Sequence, residues 1–287
     1  MLENIRLSFQ GVWSHRLRSF LTMLGIIIGI AAIIAIVSTI KGTNEQIKKN
    51  LIGSGTNTTT VQLTEEGNYP AEMEYGIPKG IPVLDDDMRQ QLADIDHVKD
   101  ASLYVSRTQV DYIYYNDTSL SGGQLIGADS HYLGTCGYIM KRGRGFTDSD
   151  YEKYRKVAVI DSVAADSLFG DANPVGKTID IKGEPFIVIG VIEESTAFSP
   201  VINSVEDYYT YVYNDGSASG IVVIPDVDWN IVQQYDEPQN AKLLADSTDN
   251  MTSVGKAAQT LLNETVTSKS IKYRAANMNE TAEESQQ

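Results

Sequence analysis

The sequence predicts an α+β protein in two parts, a membrane-spanning N-terminal helix with a stalk and then a folded body of two lobes. Three observations carry this. Residues 19–40 hold no charge; a strand, helix, strand order within residues 58–105 recurs within 241–277; and a strand-rich stretch of different texture lies between the two copies. A chain of 287 residues with 42% apolar content and 16 Tyr can bury a sizeable core.

Residues 1–18 read as an amphipathic interfacial helix. Leu2, Ile5, Phe9, Val12, Trp13 and Leu17 recur every three or four positions, with Arg6, Gln10, Arg16 and Arg18 elsewhere on the wheel. SFLTMLGIIIGIAAIIAIVSTI, residues 19–40, follows as the transmembrane helix. At about 1.5 Å per residue it reaches about 33 Å, against a hydrocarbon layer of about 30 Å. A cleaved signal peptide would show a shorter apolar region and a small-residue cleavage site, and neither is evident. Arg6, Arg16 and Arg18 ahead of the span are matched by Lys41, Lys48 and Lys49 behind it. The short leading segment ending HRLR still favours a cytoplasmic N-terminus, which places the body outside the cytoplasm. Within the span, Gly25 and Gly29 form a GxxxG pair, the residues expected to pack against another helix. Helical spacing continues through Ile47, Leu51 and Ile52, so residues 41–55 read as a stalk that Gly53 and Gly55 end.

The body opens with a strand, Thr58 to Leu63. PVLDDDMRQQLADI follows as a helix whose Asp85, Asp86 and Asp87 sit at the positive end of its dipole. Strands are expected at 98–105, 108–115 and 123–128, the middle one alternating through Val110, Tyr112 and Tyr114. The tail repeats the opening order as strand AKLLADST, helix MTSVGKAAQTLLNE and strand SIKYRAAN. One lobe is therefore assigned to residues 56–128 and 239–278, and an inserted lobe to 129–238. The inserted lobe holds an RGRGF turn at 142–146, strand VAVID, a Ser162-capped helix SVAADSLF, the hairpin KTIDI–KGEP–FIVIGVI and strand IVVIP. Residues 279–287 read as the start of a returning stalk.

Several chemistries are excluded. A net charge of −15 argues against nucleic acid as a partner. Residues 1–60 hold six Lys/Arg against Glu3 and Glu45, so a basic head, at +4, carries a body at −19. GDANPVGKT, residues 170–178, imitates a phosphate-binding loop. It has five residues instead of four between Gly170 and Gly176, places Pro174 where an N–H is needed, and stands between a helix and a strand instead of the reverse. DVDWNIVQQYDE puts Asp226, Asp228, Asn230 and Glu237 at calcium-loop positions, but Ile231 occupies the one that needs Gly. Cys136 is alone and reads as a small core residue; His15, His97 and His131 show no metal or triad spacing. No catalytic residues, cofactor or metal are expected.

Taken together, HRLRSFLTMLGIIIGIAAIIAIVSTIKG, the GTN at 55–57, RGRGFTDSD, KVAVIDSVAADSLFG, NPVGKTIDIKGEPFIVIGVI and IVVIP resemble the MacB-like permeases of bacterial ABC transporters, within the FtsX superfamily. The resemblance implies an extracytoplasmic core domain with a porter-like strand-helix-strand lobe and an inserted smaller, β-rich lobe. It implies a cytoplasmic ABC ATPase as partner, a homodimer or paired permease in the lipid bilayer, and an extracytoplasmic adaptor protein as a candidate outer partner. The outer domain would transmit ATP-driven motion to export or extract an amphiphile such as a peptide, antibiotic or lipid. Family permeases carry three further spans beyond this domain, so the chain is expected to be their N-terminal portion. The Gly-Ser-Gly before Thr56 departs from the family's Leu-Gly. A single-span anchored extracellular sensor or scaffold is the alternative function.

Overall fold

The computed structural model describes residues 16–51, 57–65, 71, 77–193, 220–233 and 239–275. Most of the expected interfacial helix, the end of the stalk and the returning stalk lie outside them. The chain divides into two compact units, Met1–Lys48 and Lys49–Gln287.

Helix α1 (Arg16–Leu51) runs for 36 residues, and its stretch Phe20–Thr39 is long and apolar enough to cross a membrane. Ile26, Ile30, Ile33 and Ile34 on it are all exposed. Its two mid-helix hydroxyls are satisfied locally, Thr22 Oγ1 donating to the Arg18 carbonyl at 3.1 Å and Thr39 Oγ1 to that of Ala35 at 2.9 Å. Backbone hydrogen bonds closed within the segment are what a span requires where no water can serve.

The second unit is organised by one mixed sheet. In chain order its elements are β1 (Thr58–Thr64), α2 (Asp86–Ala93), β2 (Val98–Val110), β3 (Ile113–Tyr115), β4 (Thr118–Ser119), β5 (Gly123–Ala128), α3 (Tyr132–Thr135), β6 (Ile139–Gly143), α4 (Asp148–Glu152), β7 (Val157–Asp161), α5 (Ser162–Phe169), β8 (Thr178–Ile181), β9 (Glu184–Glu193), β10 (Ile221–Pro225), α6 (Trp229–Val232), β11 (Asn240–Ala245), α7 (Met251–Asn263) and β12 (Lys272–Ala275). The strand order is β12-β1-β11-β2-β5-β10-β7-β9-β8-β3-β4, with β6 on β9. The α+β class and the apolar N-terminal helix are as the sequence predicts.

The echo between opening and tail is a pairing. β1 lies antiparallel between β11 and β12, Val61 facing Ala241 on one side and Ala275 on the other. Its inward residues Val61 and Leu63 join Leu103, Leu243, Tyr273 and the inner face of α7 (Val254, Ala258, Leu262) in one core. β11 shows the alternation that one buried face demands, Ala241, Leu243 and Ala245 all inside. A second core gathers Leu125, Ile160, Leu168, Ile179, Phe186, Val222, Ile224 and Trp229. A third, smaller one holds Tyr104, Ile126, Tyr132, Cys136 and Val223. Val222 and Ile224 serve one face of β10 and Val223 the other, so IVVIP is a strand buried on both sides beside its parallel neighbour β5.

Four expectations change. Residues 98–110 form one strand instead of two, because β2 pairs first with β11 and then, from Tyr104 onward, with β5. The break falls near Asp111, after a register shift between Arg107 and Val110 where Gln109 takes a positive φ of 52°. The first half of RGRGF is the end of β6. Gly143 (φ 79°) faces Gly190, and a Cβ on either would meet the backbone carbonyl of Ile189 or Arg144. Helix α5 is capped by Asp161, whose Oδ1 accepts from Ala164 N at 2.7 Å, and Ser162 is its first residue. The β8–β9 hairpin turns on Lys182 and Gly183 alone (φ 57° and 91°), leaving Pro185 inside β9 opposite Asp180.

Candidate functional site

Gly25 and Gly29 stand about one turn apart on α1, with nothing within 4 Å of the Cβ either would carry.

The loop that imitates a nucleotide site has five of its amides committed. Gly170 (φ 56°) ends α5 and donates to the Asp166 carbonyl at 3.0 Å. Ala172 N donates to Phe169 O, Val175 N to Asn173 Oδ1, Gly176 N to Val188 O and Lys177 N to Pro174 O. A phosphate cradle consists of free N–H groups converging on one point, and here they serve a turn and a sheet edge. The segment is the helix, turn, strand that its spacing predicts.

RGRGFTDSD builds the most organised polar cluster. Thr147 caps α4 in a capping box with Asp150, whose Oδ2 accepts from Thr147 N at 2.9 Å and Oγ1 at 2.8 Å. Arg144 clamps the same carboxylate through Nη1 at 2.6 Å and Nη2 at 3.1 Å. Arg155 Nη1 stands 3.6 Å from it. Asp150 is fully buried, and the Arg144 hydrogen bonds hold its carboxyl below the usual carboxylate range. RGRGF reads in sequence as a turn, which does not announce this pair; the legible signal is Thr147-x-x-Asp150 at the start of a helix.

A second polar cluster ties α3 to the sheet. His131 Nδ1 lies 2.9 Å from Asp100 Oδ1, and Thr135 Oγ1 donates to Asp100 Oδ2 at 3.3 Å. Asp129 accepts from Ser102 Oγ, Leu103 N and His131 N, while burial raises its carboxyl. His97 Nδ1 meets Asp246 Oδ2 at 2.8 Å; that bond raises His97, and Asn250 with His97 lowers Asp246 to about 2.

The calcium-like segment folds differently from a calcium loop. Asp226–Asp228 is a 3₁₀ turn running straight into α6, with Ile231 in the helix. Among the described residues no group of three or more His, Cys, Asp or Glu could hold a metal ion. The segment lines a cavity of 280 Å³ with Val83, Val105, Asp226, Val227, Trp229, Asn230 and Gln239. Asp228, two residues on from Asp226, is fully buried, and among the described residues neither of its oxygens has a hydrogen-bond partner. Burial raises Asp226 and Asp228 to about 6 each, aided by Asp129 beside Asp226 and opposed by Lys156 near Asp228.

Comparison with known proteins places these features. MacB-like periplasmic core domains match residues 19–261. The chain is 35% identical over 269 residues to the uncharacterized ABC transporter permease YvrN of Bacillus subtilis (strain 168), covering 92% of this chain and 62% of that protein. It is 32% identical over 213 residues to the macrolide export ATP-binding/permease protein MacB of Campylobacter fetus, covering 74% of this chain and 32% of that protein. It thus spans less than two thirds of these relatives. In fold, the body resembles the periplasmic region of MacB from Actinobacillus actinomycetemcomitans (TM-score 0.56, 18% identity, 80% of this chain and 93% of that one). It also resembles the extracellular domain of YknZ from Gram-positive bacteria (TM-score 0.51, 21% identity, 77% and 100%). The family's match begins inside the apolar helix and ends in α7, and the chain belongs to the MacB-like periplasmic core domain family.

Proposed function

We propose that the chain is the first-span and outer-domain portion of an ABC transporter permease. The observation that carries this reading is the single family match over residues 19–261, which takes in most of the apolar helix and the body together. Helix α1 anchors the portion in the cell membrane with its N-terminus in the cytoplasm, and the body lies outside. ATP is hydrolysed by a cytoplasmic partner ATPase. The five committed amides within residues 170–177 support a loop that takes no part in that step.

The body acts as a lever for exporting or extracting an amphiphile such as a peptide, antibiotic or lipid. It comprises a porter-like lobe, 56–128 with 239–278, and an inserted lobe, 129–238. Strand β2 supports a rigid link between them, since Leu103 sits in one core and Val105 and Val110 in the other. Two copies, or a pair of permeases, meet in the bilayer through Gly25 and Gly29, and an extracytoplasmic adaptor engages the body.

The test is topology in intact cells. Cys136 is buried, so it serves poorly as a label. The exposed Lys153 in a Cys136→Ala background, as Lys153→Cys, is the better reporter. A membrane-impermeant maleimide should modify it without lysis. Modification only after lysis would place the body in the cytosol and end the proposal.

A further inference from the structure

The segment leaving β10 is chemically unlike its surroundings. Asp226 and Asp228 follow directly on IVVIP, and Asp129 stands within electrostatic reach of Asp226. The cation felt at Asp228 is Lys156, and that ammonium is already held by Glu184 at 2.6 Å. The acidic field at this end of β10 is therefore poorly compensated. Beside it opens the 280 Å³ cavity, whose walls join three valines and an indole to the amides of Asn230 and Gln239 and whose ionisable lining group is Asp226. Val83, 55% exposed, forms its rim. Among the described residues Trp229 Nε1 and Gln239 Oε1 are buried without hydrogen-bond partners, and Asp228 stands within electrostatic reach of Asp226.

From this geometry we propose that the cavity binds a small organic cation with an apolar flank, an alkylammonium, its charge against Asp226 and its alkyl part on Val83, Val105 and Trp229. An anion is repelled by the three carboxyls. A neutral apolar guest leaves the cavity's carboxylate uncompensated, whereas an ammonium brings three donors for acceptors such as Asp226 and Gln239. The indole face attracts an organic cation as well. A bare divalent ion requires about six or more oxygen ligands, and the lining offers one carboxylate, Asp226, with two side-chain amides, Asn230 and Gln239.

The experiment uses the whole chain in lipid nanodiscs, with Trp13→Phe so that Trp229 is the sole tryptophan. Trp229 emission is followed against n-hexylammonium, n-hexanol, hexanoate and calcium chloride, with protein-free nanodiscs as blank. Hexylammonium should give a saturable change, and the others none at tenfold higher concentration. Asp226→Asn should weaken the response at least tenfold. Val83→Lys should do the same by placing an ammonium at the rim, and as a surface change it does not depend on how the core tolerates Asp226→Asn. An equal response to hexanol, a response to calcium with none to hexylammonium, no saturable response, or undiminished binding in both variants would each overturn the site.

Discussion

Arg144 holds Asp150 by both ends of its guanidinium, at 2.6 and 3.1 Å, around a carboxylate that no solvent reaches. Bidentate pairs of this kind are the strong ones, and this carboxylate also closes the cap of α4. Asp150→Ala removes the clamp and the cap together and should cost about 2–4 kcal/mol; Arg144→Ala leaves the buried carboxylate to Thr147 and to Arg155 at 3.6 Å and should cost about 1–3 kcal/mol. Thermal melts of the purified chain followed by tyrosine fluorescence would check both. Because the folded carboxyl is held below its ordinary 3.8, its contribution is present above that value and lost as pH falls below it. A Tm for either variant within a degree of the parent would contradict this account.

Asp228 carries the opposite sign. Its folded pKa of about 6 lies above the ordinary 3.8, so the folded state keeps its proton longer than the unfolded chain. Its favourable contribution is complete below pH 3.8 and is lost as pH rises through about 6. The charged and titratable groups that interact with it are Lys156, Asp226 and Tyr151. Asp228→Asn should raise stability at pH 7.5 by roughly 1–3 kcal/mol and change little at pH 4. Melts at both values give the answer, and a gain of the same size at each would exclude titration as the cause.

Glycines here separate by what surrounds them. A Cβ on Gly190 would strike the backbone carbonyl of Arg144 where β6 crosses β9, so Gly190→Ala must push the two strands apart. A loss of about 2 kcal/mol or more is expected. Gly134 lies in α3, exposed, with open space and an ordinary φ. Gly134→Ala should be neutral or add up to about 1 kcal/mol by reducing the freedom of the unfolded chain. Chemical denaturation of the pair tests the contrast, and equal losses would refute it.

These cases mark what the sequence could convey. Helix α1 was legible because 22 consecutive residues without charge have few other uses, and α5-turn-β8 because Gly170 and Pro174 punctuate it. Strand β2 was misread because its length is set by two neighbours, β11 and β5, neither adjacent to it in the chain. Local alternation does not register such pairing. The cap of α5 slipped by one because Asp161 and Ser162 are both good caps, and packing chose between them. Asp150 and Asp228 look like surface acids in a chain at −15, and only tertiary structure shows that both are buried. One is answered by arginines and the other is not.

Gly25 and Gly29 bear on assembly through the membrane. On α1 they leave a bare strip about one turn long, flanked by the bulk of Ile26, Ile28 and Ile30, where another helix's backbone can approach. Van der Waals contact is steep in distance, so a side chain of four carbons at both positions would hold the helices apart and remove most of that attraction. If two copies meet there, Gly25→Leu with Gly29→Leu should weaken self-association in bilayers at least tenfold, while Ile28→Leu should change it less than twofold. Fluorescence energy transfer between labelled chains at several protein-to-lipid ratios reads this directly. Should the double variant associate as well as the parent, assembly must be held by another surface, and the glycine strip is only a feature of an apolar helix.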